Sequence, residues 1–174
     1  MAVTTLSGSD PRQPKIYRGG TQVTEMQYGS NVEMDNGTFA IGNFVYSVAD
    51  TNIITVSDSD TKILGLAGKA SSAAATGALS IPVQLILPGD MLMIQVEDGS
   101  GNVEASDTTC VVGNSYAIKD YAANTPSRID SASAGTEEQF VYLGPVYDAA
   151  GDSSYWGWFS PDIVGTYIQT ADGN

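Results

Sequence analysis

No histidine occurs in the 174 residues, so the side chain that most often moves protons near neutral pH is missing. Ser-His-Asp triads, Cys-His dyads and imidazole metal sites are thereby excluded. What remains is carboxylate, thiol, hydroxyl and cation chemistry, and each candidate is weak. Glu137 and Glu138 are a carboxylate pair of the kind a glycosidase uses. Neighbours in a strand point to opposite faces, however, and twenty acidic residues make chance pairs common. Asp58 with Asp60, and Asp98 with Asn102, offer oxygens that suit calcium. Neither run has the glycine and terminal glutamate of an EF-hand loop, and Asp at such places ordinarily closes a tight turn. Gly65-Leu66-Ala67-Gly68-Lys69-Ala70-Ser71 is a distorted phosphate loop: two residues rather than four separate its glycines, and Ala70 rather than Ser or Thr follows the lysine. Cys110 is the lone cysteine, which excludes an intramolecular disulfide, and its neighbours Thr109, Val111 and Val112 make it read as a small buried apolar residue in a strand. No enzymatic activity, metal or cofactor is expected.

Binding chemistry is better represented. Trp156 and Trp158 sit two apart, so a strand would put both rings on one side, with Tyr155 beside them. That side is either core or an interface to another subunit or partner, where aromatic residues are enriched. At the other end of the chain, Arg12, Lys15 and Arg18 supply three of the seven basic residues, whereas the sequence after Arg128 has seven acidic residues and no basic one. With Pro11, Pro14 and no helical period, the segment reads as an extended arm over residues 1–20, followed by one β-rich domain over 21–174. An arm of this kind adds to a neighbour's sheet edge. Arg12, Lys15, Ile16, Tyr17 and Arg18 are its candidate contact residues.

The elements that would position these residues are strands. The runs 44–48 and 53–56 flank a polar turn and predict a hairpin. A strand over 61–67 follows, then a Gly/Ser/Ala stretch over 68–80. The segments 81–87 and 91–96 flank Pro88-Gly89-Asp90, whose fixed and positive φ preferences predict a second hairpin. A short strand is expected over 21–27, and Asn36-Gly37 predicts a turn into a strand over 38–41. Asn36-Gly37-Thr38 also spells a glycosylation sequon, but the turn explains it better. Strands over 103–106, 108–112 and 115–119, a polar surface excursion over 120–138, and strands over 139–143, 155–160 and 163–169 complete the reading. The expected fold is all-β, a small barrel or sandwich with irregular loops.

Residues 40–97 resemble the small head decoration, or capsid cement, proteins of tailed bacteriophages. The resemblance lies in the order of strand, polar turn, Lys62-Ile63-Leu64-Gly65-Leu66-Ala67, small-residue loop, Ile81-Pro82-Val83 strand and Pro-Gly turn. It implies a virion structural protein on the outer capsid surface, synthesised in a host cytoplasm. The implied partners are the major capsid protein and other copies of the chain in a homotrimer. A different reading is a carbohydrate-binding or adhesion module of a phage fibre, with Tyr155, Trp156 and Trp158 as a sugar platform.

Charge and length narrow the partners further. A formal charge of −13 repels nucleic acid phosphates and disfavours anionic membranes, so neither is an expected partner. No apolar run reaches the roughly 18–20 residues that span a bilayer, and residues 1–10 lack the pattern of a signal peptide.

Overall fold

The computed structural model describes residues 13–24, 27–28, 33–34, 40–48, 53–56, 63, 65–70, 82–119, 126–135, 139–147 and 154–162. In chain order these form β1 (Lys15–Arg18), β2 (Thr21–Gln22), β3 (Gln27–Tyr28), β4 (Glu33–Met34), β5 (Phe44–Val48), β6 (Ile53–Val56) and β7 (Gly65–Ala67). There follow β8 (Pro82–Leu85), β9 (Met91–Glu97), a one-turn helix α1 (Ser106–Thr109), β10 (Ser115–Tyr116), β11 (Ile118–Lys119), β12 (Arg128–Asp130), β13 (Phe140–Pro145) and β14 (Trp156–Pro161). Among the described residues the strands make two sheets. The larger runs β10-β13-β14-β9-β1-β2, with β12 added to β9 and β11 added to β12; the smaller runs β3-β8-β7-β5-β6-β4. The fold is all-β, and because neither sheet closes into a barrel, a sandwich describes it.

The alternation of β9 shows why the sheets stack. Leu92, Ile94 and Val96 are 0% exposed, while Met91, Met93 and Gln95 between them point the other way. The buried set joins Ile16 of β1, Ile129 of β12, Phe140 and Tyr142 of β13 and Phe159 of β14, and packs on Phe44, Leu66 and Ile86 from the smaller sheet and its connections. Phe44 and Phe140 meet across the two layers with ring centroids 5.2 Å apart. A polar pin accompanies them: buried Ser127 Oγ accepts from the Phe44 N–H at 3.0 Å and from Asn43 Nδ2 at 3.1 Å. Burial of these polar atoms is tolerable because they are bonded.

The hairpin of 44–48 with 53–56 forms as β5 and β6, and the strands expected over 139–143 and 155–160 form as β13 and β14, which pair antiparallel. Other expectations are corrected. Pro88-Gly89 does make a turn, with the Asp90 N–H donating to Leu87 O at 3.0 Å, but the strands on either side do not pair. β8 joins β7 and β3 in one sheet, whereas β9 joins β1, β14 and β12 in the other. The turn is a crossover between layers, since turn residues encode a change of direction and not the choice of partner strand. Residues 108–112 are not a strand. Thr108 and Thr109 hydroxyls both donate to Ala105 O at 3.0 Å, and Ser106 Oγ donates to Trp156 O at 2.7 Å, which winds one helical turn and docks it on β14.

The surface excursion expected over 120–138 is likewise interrupted, because Ser127, Arg128 and Ile129 are buried and β12 lies parallel to β9. The strand expected over 21–27 is divided between β2 and β3, which belong to different sheets. Within 103–106, Val103 makes only an isolated bridge to Glu97, and Ser106 begins α1. The largest correction concerns the N-terminal arm. From Lys15 onward it is not an arm but β1, held between β9 and β2, with Ile16 wholly buried. Apolar Ile16 completes the core beside β9, so the segment is spent inside its own domain. Arg12, Asp58, Asp60, Ser71, Glu137, Glu138, the Asn36-Gly37-Thr38 turn and the strand expected over 163–169 lie outside the described residues.

Candidate interaction surface

Because β1 and β14 both pair with β9, two candidate groups from opposite ends of the sequence become neighbours. The register sets Lys15 opposite Met93, and Met93 opposite Trp158; Tyr17 stands opposite Met91, and Trp156 opposite Gln95. Strand parity turns Lys15, Tyr17, Met91, Met93, Gln95, Trp156, Trp158 and Ser160 onto the face away from the core. The side chains of β1 and β14 reach each other over β9. Tyr17 meets Trp158 edge-on, with centroids 5.0 Å apart at 74°, a contact worth about 0.5–1.5 kcal/mol beyond its buried area. Lys15 Nζ lies 5.6 Å from the centre of the Trp156 ring, where the attraction is about 0.5–1 kcal/mol.

Trp156 and Trp158 are therefore neither core nor freely exposed. Both are half-buried on the outer face, while Gly157 and Phe159 between and beside them point inward. Gly157 lets the two rings pack without a shift, since a Cβ there would stand 2.7 Å from Phe159 Cε2 and 2.8 Å from Tyr142 Cε2. Tyr155 precedes the strand and is 56% exposed; Met91 is 40% exposed. Charge is distributed unevenly over this region. None of the side chains named on this face is acidic, and Glu97, at the far end of β9, is wholly buried and accepts the Gly101 N–H at 2.8 Å.

No protein-family model, curated protein or solved structure matches this chain.

The other expected contact residues have internal duties. Ile16 is core. Arg18 grips Asp90 with two bonds, Nε to Oδ1 at 2.7 Å and Nη2 to Oδ2 at 2.8 Å. Asp90 also accepts the Leu87 N–H at 2.8 Å and is 1% exposed, so Arg18 locks β1 to the crossover between the sheets. Among the described arm residues, Lys15 and Tyr17 alone join the aromatic group. Met91, Met93 and Gln95 are part of the surface that motif reading missed. The alternation of β9 is the signal that would have found them, but it has to be combined with knowledge of which strands flank it.

Those of the weaker chemical candidates that lie among the described residues have structural duties. Gly65 is in β7, pressed against the backbone oxygen of Gln84, and not in a phosphate-binding loop. Asp98 spends both carboxylate oxygens on its own turn: Oδ1 accepts the N–H groups of Ser100 and Asn102, and Oδ2 accepts Asn102 Nδ2 at 2.7 Å. These bonds hold its carboxyl below the usual range, with the Asn102 side chain the largest contributor. Cys110 is buried, as expected, and desolvation pushes its thiol up to about 11. Among the described residues no group of His, Cys, Asp and Glu side chains could hold a metal ion.

Proposed function

We propose that this chain is a virion structural protein which binds the outer surface of a phage capsid and stabilises the expanded head as a decoration or cement protein. Two things support the reading. The stretch that resembles the cement family, residues 40–97, contributes β5 to β8 of the smaller sheet and β9 of the larger, so the resemblance falls on strands of both layers. The observation that carries most weight is the outer face of β1, β9 and β14, which presents two tryptophans, two methionines and a tyrosine on three paired strands. Aromatic residues and methionine are the types enriched where proteins bury surface against one another.

Such a protein works without chemistry. A standard contact of ~1,600 Å² per subunit, repeated around the shell, opposes internal pressure through summed burial. Homotrimeric assembly, as implied by the resemblance, would multiply that contact by linking neighbouring sites. The glycan-platform alternative is less well supported, because it needs bare ring faces, and Lys15 stands over Trp156 while Tyr17 abuts Trp158. The test is to mix purified protein with expanded, undecorated heads, pellet them and count bound copies. Saturable binding at a stoichiometry set by icosahedral symmetry is expected. A folded protein that stays in the supernatant refutes the reading.

A further inference from the structure

We infer, resting on the cement reading above, that the shell contact is made by the outer face of β1, β9 and β14, and that its occupant is a shell-protein surface whose apolar side chains surround a carboxylate meeting Lys15. The outer face of an antiparallel sheet in a two-layer fold is ordinarily polar and solvated. Here Met91, Met93, Tyr17, Trp156 and Trp158 occupy it instead. Contiguous apolar surface of this sort marks an interaction site.

Charge selects among the occupants. The chain carries −13 overall, yet the side chains that these three strands turn outward between Tyr17 and Gln95 include one lysine and no acid. A second copy is a poor occupant. Each face would bring its own Lys15 with no carboxylate to answer the other's. A nucleic acid strand would meet repulsion from the chain's overall negative charge. A protein surface that is apolar with a single carboxylate satisfies both the rings and the lysine. The lysine is also fixed in place: β1 is paired on both sides, and Lys15 Nζ is 5.6 Å from the Trp156 ring centre. Met91 and Met93 supply adaptable side chains that can follow the partner's relief. A contact through this face leaves Arg18 clamped on Asp90, whereas binding by an unfurled arm would have to strip β1 from the sheet.

The experiment uses expanded, undecorated heads and four full-length variants: Lys15→Glu, Lys15→Arg, Met91→Glu and, as a control, Lys69→Glu, whose lysine is exposed elsewhere. Matching thermal melts establish that each is folded. Lys15→Glu and Met91→Glu are expected to bind heads at least about tenfold more weakly, Lys15→Arg, which keeps the charge, to bind more tightly than Lys15→Glu, and Lys69→Glu to bind as the parent does. In parallel, a carbodiimide, which joins an amine only to a carboxylate in contact with it, should link Lys15 to an Asp or Glu of the shell protein. If the parent binds heads but Lys15→Glu and Met91→Glu bind equally well, the face is not the contact and the cement reading survives alone. If Lys15 is linked to another copy of this chain and not to the shell protein, the occupant is wrong. If the parent does not bind heads at all, the reading and the inference both fall.

Discussion

Replacing Gly157 with alanine should destabilise the fold through two aromatic rings that have nowhere to go. The new Cβ would stand 2.7 Å from Phe159 Cε2, 2.8 Å from Tyr142 Cε2 and 3.0 Å from Phe159 Cζ, where ordinary contact begins at 3.4 Å. Neither ring is at a surface, since Phe159 is 0% and Tyr142 1% exposed. Tyr142 is also tethered, its hydroxyl donating to Ser106 O at 3.0 Å, so moving it loosens α1 as well. Overpacking of a close-packed core costs about 1–3 kcal/mol. Against this, alanine restricts the unfolded chain more than glycine does, which returns about 0.4–1 kcal/mol. The net loss is about 1–2 kcal/mol, or roughly 2–8 °C in Tm for a chain of this size. Urea titration followed by near-ultraviolet circular dichroism would measure it. The double variant Gly157→Ala with Phe159→Leu should show a favourable coupling, because the smaller side chain relieves the clash. A Gly157→Ala protein as stable as the parent, or more so, refutes the argument that the rings fix this position.

Arg18→Ala should cost about 1–3 kcal/mol in a denaturant titration, since it strips the bidentate partner from an almost wholly buried Asp90; the guanidinium is itself partly exposed, which moderates the loss. Arg18→Lys should restore little of it, because an ammonium cannot reproduce the two-pronged bond. Cys110 should resist a thiol reagent in the native protein at pH 8, where a thiol pushed up to about 11 is only about 0.1% thiolate, and should titrate fully after unfolding; rapid native labelling would contradict its burial. Asp98 should titrate below 3.8 by carboxylate NMR. Because its folded value is depressed, whatever stability it contributes is complete above the unfolded pKa and is lost as pH falls through the folded one; a midpoint at or above 3.8 would contradict the turn geometry.

Much of the strand content was legible because it is written locally. Phe44 to Val48 and Ile53 to Val56 are apolar runs around a polar turn, and they pair as their neighbours in sequence suggest. The all-β class followed from repeating that pattern. Partnership between distant strands was not legible, because a strand such as Lys15–Arg18 carries too few residues to distinguish a free arm from an internal strand; what decides is Ile16 finding Leu92 far along the chain. The same limit hid the crossover at Pro88-Gly89. Residues 108–112 failed for a different reason: Thr and Val favour strands on average, but hydroxyls that bond back to Ala105 O favour a helical turn here. The candidate surface was half legible. Its aromatic and basic members were visible as two groups, and their union over Met91, Met93 and Gln95 is a product of topology.

The position of β9 bears on how the molecule is made. Its flanking partners are β1, translated early, and β14, translated late, so the larger sheet cannot be completed until nearly all the described chain has left the ribosome. The smaller sheet is different, as β5 to β8 pair chiefly with near neighbours. Local pairings close quickly and distant ones slowly, so the smaller sheet would gather first while β9 waits with its apolar side uncovered. During that wait Leu92, Ile94 and Val96 are the residues most open to wrong association. The yield of folded protein should therefore depend on synthesis temperature and nascent-chain crowding more than the stability of the finished sandwich would indicate.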